Sequence, residues 1–290
     1  MKLIVKFNLA LLFTCVLGLA CASVVSQRLL QDQARAEALQ AASLMLEAAM
    51  ATRSYTGSNV VKLLETQMKY TFMPESIPSF AATEVLNRVR EQFPGYSYKE
   101  AMLNPTNPRD RVVEWEADVV NDFRNDPKRT EIVGERDTPT GRMLYLARPI
   151  RITDPNCLGC HATAATAPRT IVDRYGPANG FGWKLNETVG AQIIAVPTSV
   201  HTEHAQRTFV LFMTSMAAVF AAVFVVLNVM LTLLVIRPVT AVADIAERLS
   251  LGDEGVPDFP RARRDEIGAL VRAFARMQVS LRNAIAMIEA

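Results

Sequence analysis

Cys157-Leu158-Gly159-Cys160-His161 is the one stretch of this chain whose residue types and spacing specify a chemistry. Two thiols three positions apart on a turn reach the two neighbouring vinyl groups of a porphyrin, and the adjacent imidazole is then held beneath the iron. CxxCH is the spacing of covalent c-type haem attachment. On this reading Cys157 and Cys160 form the thioethers, His161 is the proximal iron ligand, and Gly159 lets the backbone pass close to the ring edge. Two other chemistries use the same residue types. A redox CxxC usually opens a helix of a thioredoxin-like fold, and nothing around residue 157 has that pattern. A zinc site wants a second ligand pair at similar spacing, but the other histidines, His201 and His204, lie about 40 residues on, beside a hydrophobic span.

The sixth ligand is less tightly specified. An axial methionine would raise the potential, and an open position would admit diatomic gases. Met45, Met50, Met68, Met73, Met102 and Met143 are available. Met45 and Met50 are the distal-ligand candidates, because they sit on a long helix whose position ligation would control. Methionine on an apolar face is equally ordinary packing. Arg148, Arg151 and Arg169 could pair haem propionates, since arginine binds carboxylates bidentately. Tyr145, Phe181 and Trp183 could wall the ring. No distal acid–base pair is recognisable, so the chain reads as a non-enzyme.

Two uncharged spans must position this motif. Phe7 to Val25 (19 residues) follows Lys2 and Lys6, and Phe209 to Ile236 (28 residues) precedes Arg237. About 20 apolar residues cross a bilayer. The first span is an anchor or a signal peptide, with Ala20-Cys21-Ala22 as a small-residue cleavage site. The flanking cations place the outer ends of both spans in the cytoplasm of a bacterial inner membrane, and the segment between them in the periplasm. The net charge of +2, from 31 basic and 29 acidic residues, excludes a strongly basic nucleic-acid binder. Four cysteines are too few for a disulfide scaffold.

The exported part begins with a proline-free stretch over residues 27–70, which predicts one long helix with Leu29, Leu30, Ala36, Leu39, Ala42, Leu46, Ala49 and Met50 near helical spacing. Thr83 to Gln92 and Arg111 to Asn125 predict short amphipathic helices. Arg142 to Ile152 and Thr188 to Val196 predict strands, with a loop of small residues from Thr153 to Glu187. Helices followed by antiparallel strands make an α+β domain.

After the second span, Pro238 marks a helix start. Val239, Val242, Ala246 and Leu249 recur at spacings of three or four, and Gly252 and Pro257 break the pattern. Asp265 and Glu266 then open a helix with Ile267, Leu270, Phe274, Met277 and Leu281 at 3-4-3-4 spacing. Two such helices bury their stripes against a partner chain, as in a parallel four-helix bundle.

Residues 60–197 resemble bacterial extracytoplasmic single-haem domains with a PAS-like fold. The resemblance rests on YTFMPESIPSFAATEVLNRVREQFPGYSYKEAMLNPTNPRDRVVEWEADVV, GRMLYLARPIRI, CLGCH and YGPANGFGWKLNETVGAQIIAVP. It implies one haem c on Cys157 and Cys160, with His161 as ligand, in a sensory module. Some members use a cysteine of the N-terminal helix as second ligand. This chain has none there, which directs attention to Met45 and Met50. RPVTAV and DEIGALVRAFARMQVSL resemble the HAMP module of membrane receptors.

The expected organisation is a transmembrane anchor or signal peptide over 1–26, a periplasmic PAS-like haem c domain over 27–207, a transmembrane helix over 208–236 and a cytoplasmic HAMP bundle over 237–290. No P-loop is present, and all three histidines lie before residue 205. A homodimeric sensor of redox state or a small ligand, relaying to a separate cytoplasmic partner such as a kinase or cyclase, is therefore expected. The alternative is a membrane-tethered monohaem cytochrome that transfers electrons to a redox partner.

Overall fold

The computed structural model describes residues 3–139, 141–253, 256, 257, 259 and 264–289, apart from the side chains of residues 3, 199–202, 284–286, 288 and 289. It forms two compact units, residues 27–208 and residues 1–26 with 209–290.

α1 (Leu3–Tyr55), whose residues 27–55 belong to the first unit, runs without interruption into a π-helical segment (Thr56–Val60) and then α2 (Val61–Met68). Its buried stripe is Ala34, Ala38, Ala42, Leu46 and Ala49, at steps of four, four, four and three, as one face of a helix requires. This corrects the expected register in part: Ala42, Leu46 and Ala49 lie on the stripe, while Leu29 and Met50 are exposed. Alanines let the helix axis approach the sheet closely, so the small residues rather than the leucines mark the packed face.

α3 (Pro78–Gln92) follows a 3-10 turn at Pro74–Ser76. The sheet that α1 and α3 cover is built from β1 (Ser97–Met102), β2 (Ile132–Thr138), β3 (Gly141–Arg151) and β4 (Thr188–Pro197), in the order β1-β4-β3-β2 and antiparallel throughout. Tyr98, Leu144, Leu146, Ile194 and Val196 meet the α1 stripe, together with Ala82 and Leu86 of α3. The alternate residues Ala101, Ala147, Ala191 and Ile193 meet Val119, Val120 and Phe123 of α4 (Glu114–Asn125). Covered on both faces, β4 is buried almost throughout, and its near-continuous apolar sequence follows from that.

Two strands escaped the sequence reading. β1 reads SYKEAM, and its Lys99 and Glu100 disguise a strand whose charges are paired internally. β2 reads IVGERDT and alternates half-buried with exposed positions, as an edge strand does. The expected loop after β3 also contains α5 (Leu158–His161) and α6 (Arg169–Tyr175).

α7 (Thr198–Met230), which belongs to the second unit from residue 209 on, leads into a π-helical segment (Leu231–Ile236) and α8 (Arg237–Ser250). Two helical stretches, Ile4–Met68 and Glu203–Ser250, are long and apolar enough to cross a membrane, and a Cβ at Gly18 would lie 3.6 Å from the Phe220 ring. Pro238 has no N–H to bond the preceding turn, and its ring crowds the carbonyl four residues back. The widened turn just before it accommodates both. α9 (Glu266–Glu289) starts where the Asp265 carboxylate accepts the Gly268 N–H at 2.8 Å. Val242 of α8, Phe259 of the connector and Val271 of α9 form a small core with Ile245, Ile267 and Phe274. Part of the expected stripe is thus buried within one chain, and Leu270, Met277 and Leu281 stay exposed.

Candidate functional site

The CxxCH turn leaves one end of the sheet, in the connection between the neighbouring strands β3 and β4. Backbone bonds Ile152 N–H to Glu187 O (3.0 Å) and Asn186 N–H to Ile152 O (2.8 Å) close the neck of that connection. The Asp154 carboxylate accepts the Asn156 N–H at 2.9 Å and starts a 3-10 turn, Pro155–Cys157, which runs straight into α5. Cys157 and Leu158 pack with Trp183 against Met102, Ile152 and Val189. The turn is therefore held by the apolar end of the sheet.

Cys157 and Cys160 are free, half-buried thiols. Burial, and then the Asp154 carboxylate, push the Cys157 thiol up, while the Arg53 guanidinium pulls it the other way. Burial and the neighbouring Cys157 push Cys160 up. Both thiols are therefore protonated near neutrality.

His161 is oriented from three sides. Its Nδ1 lies 2.8 Å from the Gly180 carbonyl oxygen and 3.4 Å from the Thr106 hydroxyl. A carbonyl only accepts, so Nδ1 carries the proton and Nε2 keeps a free lone pair. A metal-ligating histidine is commonly fixed in this way by its second nitrogen. The Trp183 ring stacks on the imidazole at 3.8 Å and 12°. Trp183 N–H to His161 O (3.2 Å) and Gly182 N–H to Ala162 O (2.9 Å) tie the two segments together. Burial lowers the His161 pKa, with the Gly180 bond opposing, so the ring is neutral.

The Gly180 segment is itself clamped. Asn104 accepts the Gly180 N–H at 3.2 Å and donates to the Phe181 carbonyl at 3.2 Å. Gly180 has φ +82°, and a Cβ there would lie 2.7 Å from the Thr106 Cα. A Cβ at Gly159, by contrast, would meet nothing within 4 Å; the protein's own atoms leave that side of the turn open.

The remaining candidates divide. Met102 shares a packing cluster with Cys157 and Leu158, whereas Met45 packs against the core that α1 and α3 form with the sheet, and Met50 is 40% exposed. Arg148 is bound to Glu47 (2.6 Å) and Glu131 (3.0 Å), and so ties α1 to β3. Arg151 donates to the Pro127 carbonyl at 2.7 Å, and Arg169 is exposed at the start of α6. Tyr145 packs with Trp115 on the α4 face, away from Trp183. His204 is exposed on α7, and the His201 side chain lies outside the described residues. Among the described residues no group of three or more His, Cys, Asp or Glu side chains is placed to hold a metal ion by itself.

Sequence reasoning missed Asn104, Thr106 and Gly180, which only the fold brings to His161. It also missed a buried polar group on the α1 face. Glu100, 2% exposed, accepts both Arg53 of α1 and the Tyr98 hydroxyl (2.7 Å), and Gln192 donates to Tyr98 at 3.4 Å. Burial and then Glu100 raise the Tyr98 hydroxyl far above its ordinary range.

The chain thus carries a long helix laid over an antiparallel sheet, a CxxCH turn at the end of that sheet, two helical stretches long and apolar enough to cross a membrane, and a paired-helix tail. The chain belongs to the Tll0287-like family, whose match covers residues 31–197, and residues 230–283 are a HAMP domain. Among solved structures, the chain is similar to that of the cyanobacterial haem protein Tll0287, at 17% identity and a TM-score of 0.42, over 56% of this chain and 95% of that one. No curated protein matches the chain.

Proposed function

We propose that Cys157 and Cys160 carry one covalent haem c with His161 as its proximal ligand, in a periplasmic domain spanning residues 27–207 of a homodimeric inner-membrane sensor. The observation that carries this reading is the Nδ1–H of His161 bonded to the Gly180 carbonyl. It leaves Nε2 as a neutral donor beside two protonated thiols. When bound, haem supplies a one-electron centre and, with an open sixth position, a site for diatomic ligands.

The chain's own residues then do three things. Gly180, Thr106 and Trp183 hold the imidazole plane. The alanine stripe and the Arg148–Glu47 pair fasten α1 to the sheet, so a displacement at the sheet end is felt by the helix that leads to the membrane. α8 and α9 receive motion from the second span and present it to a cytoplasmic partner. HAMP domains serve signal transduction, and an electron carrier has no need of one. A signal still requires that the input bind two states of the domain unequally.

The test uses the full chain from cells that mature c-type cytochromes. Haem should stay with the polypeptide on a denaturing gel and be lost in Cys157→Ala/Cys160→Ala. Oxidised and reduced spectra with CO or NO then report the sixth position, and Met45→Ala and Met50→Ala report whether either methionine ligates. Haem that is absent from the wild-type protein, or removed by denaturation, refutes the proposal.

A further inference from the structure

Glu100 is a carboxylate in the middle of β1 with almost no access to solvent. A buried ion costs several kcal/mol in desolvation, and a well-packed apolar replacement is often as stable. Stability alone therefore gives no reason for the charge. Its surroundings do. Arg53 reaches both Glu100 oxygens from α1, and Tyr98 and Gln192 complete the group. Met102 lies two positions further along the same strand face and packs on Cys157 and Leu158. Three residues beyond Arg53 the π-helical segment begins, a local widening that is often found at functional sites. The ion pair thus joins the signalling helix to the sheet next to the CxxCH turn. The field of Arg53 is also felt at the Cys157 thiol.

We infer that the Arg53–Glu100 pair is the electrostatic link between the haem site and α1: each of its two charges shifts the reduction potential, in opposite senses, and the iron's charge in turn sets how firmly Arg53 of α1 is held to β1. This rests on the haem reading above. The step it responds to is the uptake of one electron by ferric iron from a one-electron donor, dithionite in the assay, with no bond or proton transferred at Arg53 or Glu100. The Arg53 cation favours the ferrous form and the Glu100 anion favours the ferric form. A unit charge about 10 Å from a redox centre, at an effective dielectric constant of about 20, shifts the equilibrium about tenfold. Coupling between two sites is reciprocal, so reduction strengthens the hold on Arg53 and oxidation weakens it.

The experiment is a spectroelectrochemical titration of the full chain in detergent, with covalent haem first verified on a denaturing gel. Glu100→Gln should raise the potential and Arg53→Gln should lower it, each by about tenfold in the reduction equilibrium, or 59 mV for one electron. Tyr98→Phe removes a hydroxyl without changing charge and should leave the potential within about 20 mV of wild type, less than a threefold change. If Arg53→Gln does not fold because Glu100 is left unpaired, Arg53→Gln/Glu100→Gln restores neutrality and should return the potential to within that same range. Hydrogen exchange over residues 50–60 should slow on reduction in the wild-type protein, and this difference should vanish in the double variant. Covalent haem with unchanged potentials, or shifts of the same sign in both single variants, overturns the inference. A wild-type protein without covalent haem overturns the haem reading first and this inference with it.

Discussion

Replacing Gly180 with alanine should open the CxxCH turn, and Gly182 provides the control. Both glycines have φ near +80°, at +82° and +84°, so an alanine at either meets a backbone cost of about 1–2 kcal/mol. They differ in what the new methyl meets. At Gly182 nothing lies within 4 Å, while at Gly180 the Cβ comes within 2.7 Å of the Thr106 Cα. Overpacking of that kind costs about 1–3 kcal/mol, and moving the Gly180 carbonyl off His161 loses a hydrogen bond of about 1 kcal/mol. Gly180→Ala should therefore cost about 3–6 kcal/mol locally, and Gly182→Ala about 1–2 kcal/mol. Amide hydrogen exchange of the full chain, read on a peptide covering residues 176–186, measures local opening directly. Exchange should speed up about tenfold in Gly182→Ala and at least a hundredfold in Gly180→Ala. Equal acceleration in the two variants would refute the claim that Thr106 and Gly180 clamp His161.

Two further outcomes follow from other parts of the structure. Burial pushes the Asp110 carboxyl up to about 6 against the pull of Arg109, so the folded state holds that proton more tightly than the unfolded state; its contribution is full below about pH 4 and is lost as pH rises through 6. With a shift of about two units, melting curves should show about 3 kcal/mol of stability lost over that window, and Asp110→Asn should flatten it; parallel curves for the two proteins would remove the argument. In the HAMP domain, Leu270 is exposed and Val271 is buried within its own chain. In a Cys15→Ser/Cys21→Ser background, Leu270→Cys should form a symmetric disulfide dimer in membranes and Val271→Cys should not. Failure of Leu270→Cys to cross-link would count against the parallel dimer.

The motif, the spans and the long elements were legible because each rests on local chemistry. CxxCH is contiguous, 28 uncharged residues need no partner to be recognised as a membrane helix, and the 3-4 spacings around Val242 and Ile267 repeat every turn. β3 and β4 were readable for their β-branched residues, to within a residue or two at each end. β1 was not, because Lys99 and Glu100 look like solvent-facing charges until Glu116 and Arg53 are folded against them.

What the sequence determined by itself is therefore the identity of the chemical groups, namely two thiols and an imidazole on one turn between two apolar spans. What only the tertiary structure decided is their state and their connections. His161 acquires its tautomer from a carbonyl 19 residues away in sequence. The charge of Glu100 is tolerated only because a helix 47 residues earlier brings Arg53 to it. The face of α1 that packs is chosen by how closely a sheet can approach alanine. Hydrogen bonds and ion pairs act over a few ångströms of space, and separation along the chain does not report that distance.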